Sequence, residues 1–192
     1  MHIGKNNHKI DYKMKLSEYN IIMTTVKCDE EKDIGVIFDK YLSFDAHIQN
    51  SINKANSMIG IIRRTFTFID REFLTNLYKS LVRPYLEYGN IVWFPQLKRQ
   101  SVAIKKVQRR ASKLIPALKD LDYKERLRQL KLHTLRYRRY RGDLIQVFKI
   151  INGIDDLHST RNSEHKLYVH FAKTKTRKYA FSTNLEFIFN MY

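Results

Sequence analysis

Apolar residues recur at three- and four-residue spacings from Phe44 onward, and this helical period restricts the chain to a mainly helical fold. The first periodic stretch begins after Ser43, a suitable N-cap, and predicts an amphipathic helix of about six turns. Its predicted inner residues are Phe44, Ile48, Ile52, Ala55, Ile59, Ile62 and Phe66. Its predicted outer residues are His47, Asn53, Lys54, Ser57 and Arg64.

Further helices follow, which gives about five in all. Their predicted limits are residues 70–84, 101–116, 122–130 and 134–151. Asp70 is expected to cap the second helix, and Pro84 to end or kink it, because proline has no amide hydrogen. The predicted inner residues of this helix are Phe73, Leu74, Leu77, Tyr78, Leu81 and Val82. Gly153 is expected to stop the fifth helix.

The first forty residues have a different pattern, in which short apolar or β-branched runs alternate with polar turns. The runs at residues 1–3, 12–14, 21–23 and 34–38 are predicted strands, and residues 4–7 and 29–33 separate them. The predicted domains are therefore residual strands at 1–42, a helical domain at 43–153 and an irregular tail at 154–192. The predicted fold class is mainly α, or α+β overall.

Charge is the strongest compositional signal. The chain has 36 Lys and Arg against 19 Asp and Glu, a formal net charge of +17. Small domains usually carry a net charge of about 2–8 in magnitude. The surplus favours a polyanionic partner, either nucleic acid or an anionic membrane surface, and composition does not choose between them.

The third predicted helix separates apolar from basic residues. Its inner face holds Ile104, Val107, Ala111, Leu114 and Ile115. Its outer face holds Lys105, Lys106, Arg109, Arg110 and Lys113, and residues 98–113 include no acidic residue. Cations this close repel each other, and a bound polyanion would offset that cost. The alternative is a solvated basic surface that only keeps the protein soluble.

The fifth predicted helix repeats this division less strictly. Its predicted inner residues are Tyr137, Tyr140, Leu144, Val147, Phe148 and Ile151. Its basic residues are Arg136, Arg138, Arg139, Arg141 and Lys149, with Arg138, Arg139 and Lys149 expected to point away from the core. Arginine suits bidentate phosphate contact, so the four arginines extend the candidate nucleic-acid-binding set. The two tyrosines could stack on bases or belong to the core, and their helical angles favour the core.

The sequence contains no recognisable catalytic constellation, and no cofactor or metal is predicted. Cys28 is the single cysteine, which excludes a disulfide scaffold. Asp155-Asp156 follows a helix end and is interpreted as a turn or cap, and His158, His165 and His170 lack partner ligands. No apolar run is long enough to span a bilayer, and no signal-peptide core is present. We therefore expect an intracellular, soluble protein of the nucleus or cytoplasm, neither secreted nor membrane-spanning.

Several blocks of the chain form a recognisable series. They are Glu31-Lys32-Asp33-Ile34-Gly35-Val36-Ile37-Phe38-Asp39, Leu42-Ser43-Phe44, Ile62-Arg63-Arg64-Thr65-Phe66, Leu81-Val82-Arg83-Pro84, Val107-Gln108-Arg109-Arg110-Ala111 and Arg141-Gly142-Asp143. This series resembles the region after the palm of non-LTR (jockey-like, LINE-type) retrotransposon reverse transcriptases. The similarity covers residues 1–153. It implies the end of a palm, a helical thumb and its C-terminal extension.

The resemblance also bears on activity. A thumb of this family grips the template–primer duplex through its backbone, which would give the basic helices their partner. The family's catalytic aspartates lie in the palm, and no Tyr-x-Asp-Asp motif occurs here, so the resemblance implies no enzymatic activity for this chain by itself. Met1 lies within what resembles a palm strand, which suggests a truncated copy of a transposable element.

Three functions follow from these observations. The first is sequence-tolerant binding of an RNA, DNA or RNA–DNA duplex backbone through the basic helices. The second is a protein-interaction module that self-associates or binds a partner through exposed apolar surface, including residues 85–93. The third is a non-functional remnant of a transposable element. Membrane binding is the least favoured, because no helix joins a basic face to an apolar insertion face.

Overall fold

The computed structural model of this 192-residue chain describes residues 1, 3–4, 13–16, 21–24, 28–95, 97–152 and 154. The chain divides into two compact units, residues 1–47 and residues 48–192. The fold is mainly helical, with short antiparallel strands confined to the N-terminal part, as the sequence predicts.

Four short strands form two antiparallel hairpins among the described residues of the first unit. The strands are β1 (Lys13–Leu16), β2 (Ile21–Thr24), β3 (Glu30–Asp33) and β4 (Val36–Asp39). In the first hairpin, Lys13 pairs with Thr24 and Leu16 pairs with Ile21. The prediction of a strand at residues 1–3 is wrong for Met1 and Ile3, while His2 and Tyr12 lie outside the described residues.

The second hairpin corrects the prediction that residues 29–33 only separate two strands. β3 is built from charged residues that are all exposed, so it lacks the apolar signal of a strand. Its formation depends on the turn, where Ile34 and Gly35 both have positive φ angles, of 42° and 79°. Such two-residue turns match the natural twist of a hairpin. Asp33 therefore pairs with Val36 across the turn.

The start of the first helix, α1 (Asp45–Thr65), is fixed by side chains that bind backbone amides. The Asp39 carboxylate accepts hydrogen bonds from the amides of Tyr41 and Phe44, at 3.1 and 2.8 Å. Ser43 Oγ accepts one from the amide of Asp45 at 3.3 Å, close to its predicted capping role. His47, predicted on the outer side of this helix, is buried instead, because its Nδ1 accepts a hydrogen bond from the Ile37 amide of β4.

The remaining helices follow the predicted order. They are α2 (Arg71–Leu77), a π-helical turn (Tyr78–Val82), α3 (Arg83–Glu87), α4 (Lys98–Ala111), a 3₁₀ turn (Pro116–Leu118), α5 (Tyr123–Gln129) and α6 (Leu135–Ile151). Side chains cap three of the starts: Asp70 accepts from the Phe73 amide, Asp122 from that of Lys124, and Thr134 from that of Tyr137. Capping thus explains why these three helices begin where the sequence predicts. Gly153, the predicted stop of the last helix, lies outside the described residues.

The prediction for Pro84 is only partly right, since the helix does not end there. α2 passes through the π-helical turn directly into α3, and Pro84 occupies an early position of α3. Proline cannot donate a backbone hydrogen bond, and a π-helical turn changes the local pairing so that the missing donor is tolerated. The segment ends at Glu87, and Gly89 follows with a φ of 64°.

The core of the second unit contains most of the predicted inner residues. Those buried are Ile48, Ile52, Ala55, Ile59, Ile62, Leu74, Tyr78, Val82, Ile104, Val107, Ala111 and Ile115. Phe73 and Leu81, predicted inward, lie more than a third exposed at the edge of this face. Trp93 is completely buried, and its Nε1 donates a hydrogen bond to the Tyr88 carbonyl oxygen at 2.7 Å. Thr75 Oγ1 likewise donates to the Leu130 carbonyl and joins α2 to the end of α5.

α6 is rotated relative to the predicted orientation. Its buried residues are Leu135, Arg139, Asp143 and Val147, which recur at every fourth position. Tyr137 and Phe148, predicted in the core, are 52% and 62% exposed, and Leu144 is also exposed. The prediction that Arg139 points away from the core is wrong, because it is only 5% exposed. The helix has apolar residues on both sides, so periodicity alone did not determine which side packs inward.

Candidate nucleic-acid interface

α4 presents one basic face to solvent and one apolar face to the core. The predicted end of this helix at residue 116 is wrong, because it ends at Ala111 and Lys113 continues the basic face in the turn that follows. The five cations predicted as nucleic-acid-binding are all exposed: Lys105, Lys106, Arg109, Arg110 and Lys113. The opposite side buries Ile104, Val107 and Ala111. At the start of the helix, Gln100 Oε1 accepts a hydrogen bond from the Leu97 amide at 2.9 Å. This contact satisfies one terminal donor and fixes the start of the helix three residues before the predicted one.

The ring of Tyr123 in α5 contacts two of these cations. Lys105 Nζ lies 5.2 Å from the centre of the Tyr123 ring, and the Arg109 guanidinium lies 5.1 Å from it. Both distances fit a cation–π contact, which draws the positive charges toward the ring. The Tyr123 hydroxyl donates a hydrogen bond to Gln108 Oε1 at 2.7 Å. Burial raises the pKa of Tyr123 to about 12, so the hydroxyl remains a donor at neutral pH.

A chain of buried hydrogen bonds then fixes α4 to its neighbours. Gln108, which is 1% exposed, donates through Nε2 to the His133 carbonyl oxygen at 3.0 Å. Near the end of α4, Arg126 Nε donates to Ser112 Oγ at 3.0 Å, and the same guanidinium contacts the Leu121 carbonyl. Buried polar groups that are satisfied in this way define one arrangement of the elements. These hydrogen bonds therefore hold α4, and the basic residues on its exposed face, in one position.

The side chains of this face all carry positive charge, and the Asp122 carboxylate at the start of α5 lies close enough to interact with the charge of Arg109. Within the described part of the chain, none of its five cations forms an ion pair with a carboxylate. Arg110 is held differently, because its guanidinium donates to Asn56 Oδ1 of α1 at 3.0 Å. Five positive charges on one exposed face, without acidic neighbours on the helix, give a positive potential that attracts polyanions.

The four predicted arginines of α6 occupy three different environments. Arg138 makes a bidentate ion pair with Glu87 of α3, at 2.5 Å from Nε and 2.9 Å from the second nitrogen. Arg139 is buried, and burial lowers the pKa of its guanidinium. Arg136 lies over the Tyr140 ring at 5.6 Å, and Arg141 is exposed. Only Arg136 and Arg141 of these four therefore leave the charge accessible to a ligand.

The exposed Tyr137 reopens an interpretation that the sequence disfavoured. Its ring lies 4.9 Å from that of His133, and the two planes are tilted by 34°. An exposed aromatic pair beside arginines can stack on an unpaired base. Tyr137 is exposed, so its ring is accessible for base stacking, whereas a tyrosine buried in the core would not be.

Other candidate chemistry is sparse in the described part of the chain. No group of three or more His, Cys, Asp or Glu residues is arranged there to hold a metal ion. Cys28 Sγ donates a hydrogen bond to Glu31 Oε2 at 3.4 Å. Asp155, Asp156, His158, His165 and His170 lie outside the described residues, as does nearly all of the predicted tail. None of the helices in the described ranges has the length and apolar character needed to cross a bilayer.

The chain was compared with protein-family models, with curated proteins and with solved structures, and none of them matches it.

Proposed function

We propose that this chain binds the backbone of nucleic acid through the exposed basic face of α4, and that it derives from the C-terminal part of a non-LTR retrotransposon reverse transcriptase. The observation that carries the binding proposal is the set of five exposed cations, none of which forms an ion pair with a carboxylate in the described part of the chain. The proposed origin is supported by the sequence resemblance. A partner of this kind would be met in the nucleus or the cytoplasm.

The dimensions of α4 suit a short stretch of duplex backbone. Lys105 and Arg110 are separated by five residues, which corresponds to a rise of about 7.5 Å along α4, and Lys113 follows in the turn after the helix. One strand of a duplex rises 3.4 Å per nucleotide, so the helical part of the face covers about two to three phosphates. Flexible lysine and arginine side chains extend that reach. Contacts to phosphates carry no base information, so binding is expected to be sequence-tolerant and to accept RNA, DNA or a hybrid duplex.

The set of proposed contact residues is smaller than the sequence suggested. Arg136 and Arg141 of α6 stay in the proposed contact set, since both guanidinium groups remain accessible. Arg138 neutralises Glu87 and Arg139 is buried, so we assign both to stabilising α6. The proposed function therefore does not require either of them to contact phosphate. No catalytic step is proposed.

The direct test compares two triple variants in fluorescence anisotropy with an RNA–DNA hybrid duplex at 0.1 M salt. The first carries Lys105→Gln, Lys106→Gln and Arg109→Gln. Each neutralised phosphate changes log affinity by about 0.9 for a tenfold change in salt concentration. Over the decade from 1 M salt to the 0.1 M of the assay, the loss of three contacts therefore weakens binding by up to about 500-fold. The matched control carries Lys54→Gln, Lys79→Gln and Lys131→Gln, which removes the same charge from exposed positions elsewhere. Equal losses of affinity in both variants would show that only net charge matters, and would contradict a specific role of this face in binding.

A protein-interaction function is the second candidate, and α6 favours it. Its exposed side carries Tyr137, Leu144, Ile145 and Phe148. Exposed apolar side chains in a row along one helix are typical of a surface that a partner covers. Substitution of Leu144 and Phe148 by Ser would abolish association measured by sedimentation velocity under this hypothesis. The same pair of changes would leave duplex binding by α4 unchanged.

A further inference from the structure

A cleft of about 500 Å³ lies between the C-terminal ends of α1 and α4. Four cations line it: Arg63, Arg110, Lys113 and Lys119. Phe66 and Leu114 supply apolar walls, and no carboxylate is among the lining residues. A volume of this size falls within the range of about 300–1,000 Å³ that is typical of small-ligand sites. It is too small for a duplex and suits one unpaired nucleotide.

The charge in this cleft exceeds what the helix ends require. The C-terminus of an α-helix carries the equivalent of about half a negative charge, and basic side chains in the last turn commonly offset it. Two helix ends meet at the cleft, so the four cations leave a surplus of about three positive charges. An internal phosphodiester carries a single negative charge, whereas a terminal phosphate carries about −1.5 to −2. The surplus therefore matches a terminal phosphate better than an internal one.

The walls of the cleft are fixed on both sides. The Phe66 ring packs edge-to-face against that of Phe73, with ring centres 4.9 Å apart. The Arg110 guanidinium donates a hydrogen bond to Asn56 Oδ1 at 3.0 Å, which restrains the side chain on the α1 side. A fixed aromatic ring beside cations is the arrangement that binds a base by stacking and its phosphate by charge.

We infer that this cleft binds the terminal, 5′-phosphorylated nucleotide of a nucleic-acid strand, with the base against Phe66 and the phosphate among Arg63, Arg110, Lys113 and Lys119. The inference rests on the proposed function, since Arg110 and Lys113 belong both to the basic face and to the cleft. It adds a preference that the outer face alone does not give, namely for a phosphorylated strand end over a hydroxyl end.

The test uses two duplexes of one sequence with a short 5′ overhang that ends in either phosphate or hydroxyl. We expect the protein to bind the phosphorylated duplex about tenfold more tightly, the effect of one additional charge-assisted contact. Arg63→Gln with Lys119→Gln should reduce this preference to less than twofold, since both residues line the cleft and neither lies on the outer face of α4. Lys105→Gln with Lys106→Gln is the matched control, and should weaken binding of both duplexes while the tenfold ratio remains.

Equal binding of the two duplexes by the unsubstituted protein would overturn the inference, and so would a preference that survives the Arg63 and Lys119 changes. If the protein binds neither duplex, the proposed function has failed, and adenosine 5′-monophosphate then tests the cleft separately. Binding of this nucleotide that the same two changes abolish would support a site for a free mononucleotide rather than for a strand end. Absence of nucleotide binding would refute the cleft as a site.

Discussion

The hydrogen bond between Tyr123 and Gln108 gives the sharpest test of how α4 is supported, through the substitution Tyr123→Phe. The change removes the hydroxyl that donates to Gln108 Oε1 at 2.7 Å and retains the ring beneath Lys105 and Arg109. Gln108 is 1% exposed, so water cannot easily replace the lost donor. A buried polar group left without its partner costs about 1–3 kcal/mol. We expect the free energy of unfolding to fall by about 2 kcal/mol.

Urea unfolding followed by circular dichroism measures this loss. With a slope of about 2 kcal/mol per molar urea, the midpoint should fall by about 1 M with the slope unchanged. A double-mutant cycle with Gln108→Leu isolates the contact, because contacting residues show coupling energies of about 0.5–3 kcal/mol. Burial raises the pKa of Tyr123 to about 12, so the coupling should be the same from pH 6 to pH 9. Additive single-variant effects, or a Tyr123→Phe variant as stable as the parent, would refute the reasoning.

Three further changes test the packing around α6 and the core. Burial raises the pKa of Asp143 to about 6, so the folded state favours the neutral acid and stability decreases as pH rises from 4 through 6. Asp143→Asn should therefore be more stable than the parent at pH 8, by up to about 3 kcal/mol, and nearly equal to it at pH 4. Urea unfolding at both pH values measures the difference. Arg138→Gln removes the bidentate partner of Glu87 and leaves it the ion pair with Arg83 at 3.6 Å, so it should cost about 1.5 kcal/mol in the same assay, with duplex affinity unchanged. Trp93→Phe loses the hydrogen bond to the Tyr88 carbonyl and part of the buried ring, and should lower stability by about 2–3 kcal/mol in thermal unfolding. A stability within 0.5 kcal/mol of the parent, measured at pH 8 for Asp143→Asn, would contradict each of these assignments.

The sequence predicted which side of α4 packs inward because its two faces differ in chemistry, although the helix spans Lys98–Ala111 and not residues 101–116. Ile104, Val107 and Ala111 lie on one side and the cations on the other, with Val102 as an exposed exception, so one rotation of the helix satisfies the hydrophobic effect. α6 has apolar residues on both sides, and the contacts made by neighbouring helices decide its rotation. Arg138 meets Glu87 from α3, which is a tertiary contact that periodicity cannot predict. The buried Arg139 and exposed Phe148 follow from that rotation.

The other differences between the prediction and the structure depend on turn geometry and on contacts between residues that are far apart in sequence. β3 carries no apolar residue, and its strand character depends on the left-handed turn at Ile34 and Gly35. The cleft joins Arg63 to Lys119, and their separation in sequence gave no signal that they share a site. The capping residues were easier to predict, since an N-cap depends only on neighbours within three residues. Features that depend only on neighbouring residues, such as the N-caps, were therefore predictable from the sequence.

The salt dependence of affinity for an RNA–DNA hybrid duplex tests most directly whether α4 binds nucleic acid. Neutralisation of about five phosphates gives a slope of log affinity against log salt near −4.5, by the value for B-form DNA. The Lys105, Lys106 and Arg109 triple variant to Gln should flatten that slope by about 2.7, while the Lys54, Lys79 and Lys131 variant keeps it. A slope that is the same in all three proteins, or the absence of binding at 50 mM salt, would contradict the proposal that this face of α4 binds nucleic-acid backbone.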